Sequence, residues 1–156
     1  MFEKTAVAFD GSDDAFSALD EIAALVAAAG GEVHLVMVLD HHLREELKVY
    51  AEAGGSGARE PGTPGAPPVY LDQAVTVILA SAEKRLAEHG VSTDSTVVAD
   101  RDTVDGILHG TREAGCTCLV LPTHGRSGVM RWLAGNHAEK IIHEAKVPVL
   151  VIPPSA

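Results

Sequence analysis

The chain has 156 residues, 46% of them hydrophobic but only 4% aromatic, and a formal net charge of -10. That length fits one domain around one aliphatic core. The acidic balance excludes a sequence-independent binder of nucleic-acid backbones, which needs clustered Lys and Arg, so an anionic ligand must rely on local donors. Cys116 and Cys118 suit neither a disulfide framework nor a CxxC metal site and read as reduced thiols of a cytoplasmic protein. The N-terminus enters a strand without an apolar signal region, and no apolar run reaches membrane-spanning length, so no membrane association is expected.

Thr5 to Phe9 is a short apolar run that predicts a buried strand. It ends in Asp10-Gly11-Ser12-Asp13, a turn and N-cap cluster. Phe16, Leu19, Ile22, Ala23 and Val26 then fall at helical spacing, and Gly30-Gly31 ends that helix. Val33 to Leu39 is near-continuously apolar, as a strand buried on both faces should be. Asp40 to about Val69 differs. His41 to Tyr50 reads as charged and partly helical, and Ala53 to Pro68 is rich in Gly, Pro, Ser and Ala, a flexible insert or lid at about 41–69. Surface solvation is the simpler reading of His41-His42 with Glu45-Glu46, and a metal cluster the sharper one.

Leu71 to His89 resumes helical spacing through Val75, Ile78, Leu79, Ala82 and Leu86, with Gly90 as its stop. Val91 to Ala99 is a less apolar strand, placed nearer a sheet edge. Asp102-Thr103 opens a helix bearing Val104, Ile107, Leu108 and Thr111, closed by Gly115. Cys116 to Leu121 is the fourth strand. Asn136 to Glu139 has the form of a capping box for a helix ending near Ala145, and Pro148 to Ile152 is the last strand. The alternation predicts an α/β domain over 1–156: an open, five-stranded, mostly parallel sheet with helices on both faces. Ligands of such sheets bind beyond the carboxyl ends of the strands, where strand order reverses.

The chain is organised around the stretch after the fourth strand: Pro122, Thr123, His124, Gly125, Arg126, Ser127 and Gly128, then Gly135, Asn136 and His137. A strand, a glycine loop and a helix start present backbone N–H groups to an anion. The same glycines also serve as plain turn residues. Arg126, Arg131 and Lys140 can balance phosphate charge or form a solvated basic face, in which Lys140 pairs with Glu139 or Glu144. His124 reads as a hydrogen-bonding loop residue rather than a general base, because no nucleophile with a triad-like partner can be placed beside it. No GxxxxGK[ST] motif occurs, so efficient nucleotide hydrolysis is not expected.

Val7-Ala8-Phe9-Asp10-Gly11-Ser12, Leu35-Val36-Met37-Val38, Thr123 to Gly128, Gly135 to Lys140 and Val147 to Val151 together resemble the universal stress protein family over nearly the whole chain. The resemblance implies a Rossmann-like fold of the adenine nucleotide alpha hydrolase-like type, with strand order 3-2-1-4-5. It also implies adenine nucleotide binding, with ATP as ligand and Mg2+ or Mn2+ only in its company. Nucleotide-binding members carry Gly-x2-Gly-x9-Gly followed by Ser or Thr. Here the second and third glycines match Gly125 and Gly135, while Pro122 takes the first position and Asn136 the hydroxyl position. Proline has no N–H to donate and a fixed φ. By the same resemblance Asp10 and Val38 line the adenosine pocket, Gly125 to Gly128 with Gly135 and Asn136 hold the phosphates, Pro122, Thr123, His124 and His137 complete the nucleotide-binding positions, and Val147 to Ile152 pairs with a second copy as a homodimer. The implied role is a stress-response sensor or regulator. The alternatives are a dimeric adaptor of the same fold whose nucleotide site Pro122 has impaired, and a slow ATPase.

Overall fold

The computed structural model describes residues 1–41, 43–45, 47, 69–99, 101–123 and 137–153. In chain order the elements are β1 (Lys4–Ala8), α1 (Asp13–Ala28), β2 (Glu32–Leu39), α2 (Val69–Glu88), β3 (Thr93–Ala99), α3 (Thr103–Glu113), β4 (Cys118–Pro122), α4 (His137–Glu144) and β5 (Val149–Ile152). Of the expected insert, His41, Leu43, Arg44, Glu45 and Leu47 are helical and Val69 already opens α2; residues 48–68 lie outside the described residues.

The strands form one sheet in the order β3-β2-β1-β4-β5, and the pairings between neighbours are all parallel. Thus the expected fold and strand order hold. β1, β2 and β4 sit inside the sheet and are buried on both faces, which is why their sequences are apolar without alternation. β3 is an edge strand, and its polar residues Thr93, Asp94, Ser95 and Thr96 are partly or fully exposed, as its composition predicted.

Two aliphatic cores lie on opposite faces. On one, α1 and α2 pack Leu19, Ile22, Val26, Leu79 and Leu86 against Val7, Leu35, Met37 and Val120. On the other, α3 and α4 pack Val104, Ile107 and Ile141 against Ala6, Val36, Leu119 and Leu121. The helix after β1 therefore covers one face and the helix after β4 covers the other. That divergence makes the gap between β1 and β4 the topological switch point.

Local chemistry sets the helix ends. Ser12 Oγ accepts from the Ala15 N–H at 3.2 Å and Asp102 Oδ1 from the Asp105 N–H at 3.0 Å, each capping its helix. Gly30, Gly90 and Gly115 end α1, α2 and α3 with positive φ. Both cysteines are free and buried, and burial pushes the Cys116 thiol up to about 11, away from the reactive thiolate form.

One polar group inside the sheet was not singled out by the sequence. His34 on β2 is buried, with Nδ1 hydrogen-bonded to Asp94 Oδ1 and Nε2 2.7 Å from Thr96 Oγ1, so both ring nitrogens are satisfied by β3.

A surface cluster pins α1 to α2. Arg85 donates to both oxygens of Asp20, at 2.9 and 2.7 Å, and His89 Nε2 stands 3.2 Å from Asp20 Oδ1. The Arg85 hydrogen bonds hold the Asp20 carboxyl down at about 2, against a smaller opposing effect of burial. Because the folded-state pKa is the depressed one, this contribution is complete above the ordinary aspartate range and is lost as pH falls through about 2. The carboxylate is 45% exposed, so screening limits the contribution to below about 1 kcal/mol. Asp20→Asn should therefore melt slightly below the parent at pH 7, and the difference should vanish near pH 2; thermal melts at the two pH values check it.

Candidate functional site

The carboxyl end of the sheet gathers the strand exits. Asp10 leaves β1, Asp40 leaves β2 and Thr123 leaves β4. Phe9 N–H still donates to Val36 O at 3.0 Å, so continuing the β1–β2 register brings Asp10 alongside Val38. On the other side Val7 pairs with Val120, and the same continuation brings Thr123 to the level of Asp10. Three of the residues expected at the site therefore converge on the switch point.

Asp10 is only 5% exposed. Its Oδ1 accepts from the Ser12 N–H at 2.9 Å, an Asx turn that folds the carboxylate back over the start of α1. Gly11 between them has φ +76, and a Cβ there would stand 2.8 Å from Ile78 Cγ2, so the turn needs glycine for both conformation and space. Asp13 and Asp14 occupy the first turn of α1 and already offset its dipole. A cavity of about 380 Å3 opens beside this turn, lined by Asp10, Ser12, Phe16, Leu43, Leu47 and Ile78 among others.

Val38 is 1% exposed and packs against α3. The helix approaches it closely because residue 106 is glycine: a Cβ there would lie 2.7 and 2.8 Å from the two Val38 methyls, and one at Gly110 would lie 2.6 Å from Val36 Cγ1. Two glycines four apart in a helical pattern were the sequence signal for this approach, and the functional reading overlooked it.

Pro122 is not the first residue of the loop, as expected, but the last residue of β4. It is buried and in register with Ile152. The Thr123 N–H donates to Ile152 O at 2.8 Å, so the edge strand β5 supports the loop's departure point. His137 is the first residue of α4 and is exposed. His124, Gly125, Arg126, Ser127, Gly128, Gly135 and Asn136 lie outside the described residues, as does Arg131. The same holds for His42 and Glu46 of the suggested metal cluster. Among the described residues no group of three or more His, Cys, Asp or Glu is placed to hold a metal ion.

Charged groups around α3 and α4 complete the rim. Lys140 Nζ stands 4.0 Å from Asp105 of α3, whereas Glu139 faces His143 at 3.8 Å. Of the two readings of Lys140, the pairing along its own helix is thus replaced, among the described ion pairs, by one across two helices. The Asp105 backbone N–H holds the Asp102 carboxyl below its ordinary range, and the hydrogen bond with Asp102 raises that of Asp105.

Sequence reading also missed Asp40. Its Oδ1 accepts from the Leu43 N–H at 2.8 Å and its Oδ2 from Thr103 Oγ1–H at 2.5 Å. The available signal was the repeated pattern of an aspartate placed directly after an apolar strand, as at Asp10.

Residues 1–153 match the universal stress protein family. The chain is 27% identical over 159 aligned positions to universal stress protein YxiE of Bacillus subtilis strain 168, covering 97% of this chain and 99% of that protein. Among solved structures it is similar to a universal stress protein family member from Burkholderia pseudomallei, at 25% identity and TM-score 0.64, covering 99% and 97% of the two chains. It also shares its fold with the Archaeoglobus fulgidus protein in complex with dAMP (18% identity, TM-score 0.62, covering 96% and 95%) and with an Arabidopsis thaliana protein with AMP bound (14% identity, TM-score 0.59, covering 98% and 92%).

Proposed function

Because the chain belongs to the universal stress protein family, we propose that it binds an adenine nucleotide, ATP, at the carboxyl end of the sheet, as a cytoplasmic stress-response sensor rather than an efficient catalyst. The observation that carries this reading is the convergence of Asp10, Val38 and Thr123 on the β1–β4 switch point. Asp10 offers a buried carboxylate to sugar hydroxyls or the adenine amino group, and Val38, whose methyls are taken up by α3, contacts adenosine through its backbone. Gly125 to Gly128 with Gly135 and Asn136 supply phosphate donors, Arg126 adds charge, and Thr123, His124 and His137 complete the set. The dAMP- and AMP-bound relatives support the adenosine part of the proposal. ATP is its finer part, and any Mg2+ or Mn2+ enters with the triphosphate.

Isothermal titration tests it. Saturable heat is expected with ATP, and Asp10→Asn, which keeps an acceptor for the Ser12 N–H, should weaken binding by roughly tenfold or more, as loss of a hydrogen bond to a charged group does. Absence of heat with both ATP and AMP at millimolar concentration would overturn the reading.

A second reading is favoured by the other end of the sheet. β5 is an edge strand, Val151 on it is 41% exposed, and Ile142 on the neighbouring α4 is 55% exposed. An apolar edge strand needs pairing or protection, and antiparallel pairing of Val147–Ile152 with a second copy would supply it. In this adaptor reading Pro122, which donates no N–H, leaves the phosphate cradle incomplete. A dimer by sedimentation that Val151→Lys converts to monomer, with no nucleotide heat, would favour this reading over the first.

A further inference from the structure

We propose that Asp40 and Thr103 are positioning residues of the nucleotide crevice, acting through Val38 and the residues that follow β2. The proposal rests on the nucleotide reading above and says what holds the adenosine wall in place. Asp40 uses both carboxylate oxygens: Oδ1 accepts from the Leu43 N–H at 2.8 Å and Oδ2 accepts from the Thr103 hydroxyl at 2.5 Å. One carboxylate therefore joins three walls. The first is β2 itself, which carries Val38 two residues earlier. The second is the helical turn begun at Asp40, where Arg44 N–H donates to Asp40 O at 3.1 Å and Arg44 Nε to Leu39 O at 3.2 Å. Its Leu43 and Leu47 line the cavity that contains Asp10. The third is the first turn of α3, whose Gly106 lies directly on Val38.

The bond between Thr103 and Asp40 is charge-assisted and partly buried, so it is stronger than a neutral one. It spans 63 residues of sequence and lies just beyond the last rung of the β2–β3 ladder, where Leu39 pairs with Ala99. Removing the hydroxyl leaves Oδ2 without that donor in a partly buried place, and it leaves the start of α3 held to the end of β2 by apolar packing alone, with Gly106 on Val38. A binding wall loosened in this way loses affinity without losing a ligand contact, because ordering the wall then has to accompany binding.

Thr103→Val keeps the shape and removes the donor; Thr103→Ser restores the donor. By titration with ATP and AMP, Thr103→Val should bind roughly tenfold more weakly, the equivalent of one hydrogen bond to a charged group, and Thr103→Ser should return to within about twofold of the parent. Gly30→Ala, destabilised by its positive φ in the connection between α1 and β2 at the amino end of the sheet, is the control: its melting temperature falls while its affinity does not. If Thr103→Val matches the parent in affinity, or Thr103→Ser fails to restore it, the positioning role is wrong. If the parent protein gives no heat with either nucleotide, the nucleotide reading itself falls and this inference with it. Should Thr103→Val not fold, Asp40→Asn, which retains an acceptor for the Leu43 N–H, is titrated in its place: a roughly tenfold loss supports the positioning role, and parent-like affinity overturns it.

Discussion

Gly106→Ala is expected to destabilise the protein by about 2 kcal/mol even though alanine is the better helix former. Two effects oppose one another. In an exposed helix the exchange gains up to about 1 kcal/mol. Here the new Cβ would stand 2.7 and 2.8 Å from the Val38 methyls and 3.3 Å from the Val38 Cβ. Both methyls face the helix, so rotating χ1 cannot clear them, and a β-branched side chain has few rotamers to try. α3 must lift off the sheet, and overpacking of this kind costs about 1–3 kcal/mol. For a chain of this size each kcal/mol corresponds to roughly 2–4 °C in Tm. Urea unfolding and thermal melts measure it. The cause is separable: Val38→Ala alone should destabilise by creating a cavity, yet in the double variant Gly106→Ala should cost little further. A Gly106→Ala protein as stable as the parent, or costs that simply add, would show that the close approach is absent. The same lift should draw Thr103 away from Asp40, so nucleotide affinity should fall together with stability.

The largest single-atom effect is expected at the opposite end of the sheet. A Cβ at Gly31 would sit 1.7 Å from the Phe2 carbonyl oxygen, 2.9 Å from its carbon and 3.2 Å from the Glu3 oxygen. These are backbone atoms, so no side chain can swing aside. Glu32 N–H donates to Glu3 O at 3.0 Å, and relieving the clash means parting β1 from β2 at that bond. Gly31→Ala should therefore cost about 3 kcal/mol or more, in the range of severe overpacking and a disrupted ladder. Gly30→Ala is the comparison. Its Cβ would meet nothing within 4 Å, and the cost is only that of φ +69 for an L side chain, about 1 kcal/mol. Denaturant midpoints with unchanged m-values give both numbers. If Gly30→Ala proves the costlier of the pair, the close approach of Gly31 to the β1 backbone is not what limits the α1–β2 connection. Because Gly31 lies remote from the strand exits, nucleotide affinity measured well below the melting temperature should be unaffected.

Much of the fold was legible in the sequence because its signals are local. A strand buried on both faces has no polar face to display, so β1, β2 and β4 read as unbroken apolar runs. Helix faces recur every three or four residues, and Leu19, Ile22 and Val26, or Val75, Leu79 and Leu86, mark which side turns inward. The caps at Ser12 and Asp102 and the stops at Gly30, Gly90 and Gly115 depend on one residue and its neighbours. The element order by itself implied an open parallel sheet; the family resemblance, rather than any periodicity, supplied strand order 3-2-1-4-5. Asp10 and Val38 were identified as candidates in the same way, by motif position.

Tertiary structure decided what depends on the distance between elements. Gly106 and Gly110 look like weak points of a helix until α3 is seen lying on Val38 and Val36. Pro122 was placed in the loop because it takes the first position of the glycine motif, but β4 carries it as its last, buried member, opposite Ile152. Asp40 and Thr103 meet across 63 residues, His34 is satisfied by Asp94 and Thr96 of the adjacent strand, and Lys140 reaches Asp105 rather than a partner on its own helix. The pairings themselves carry no local signal, because side-chain pairing between elements is fixed by strand register and helix placement, which are collective results of packing two aliphatic cores. The sequence thus determined which elements form and which strand ends carry the candidate site residues, and packing determined how closely those elements approach and which side chains hold them there.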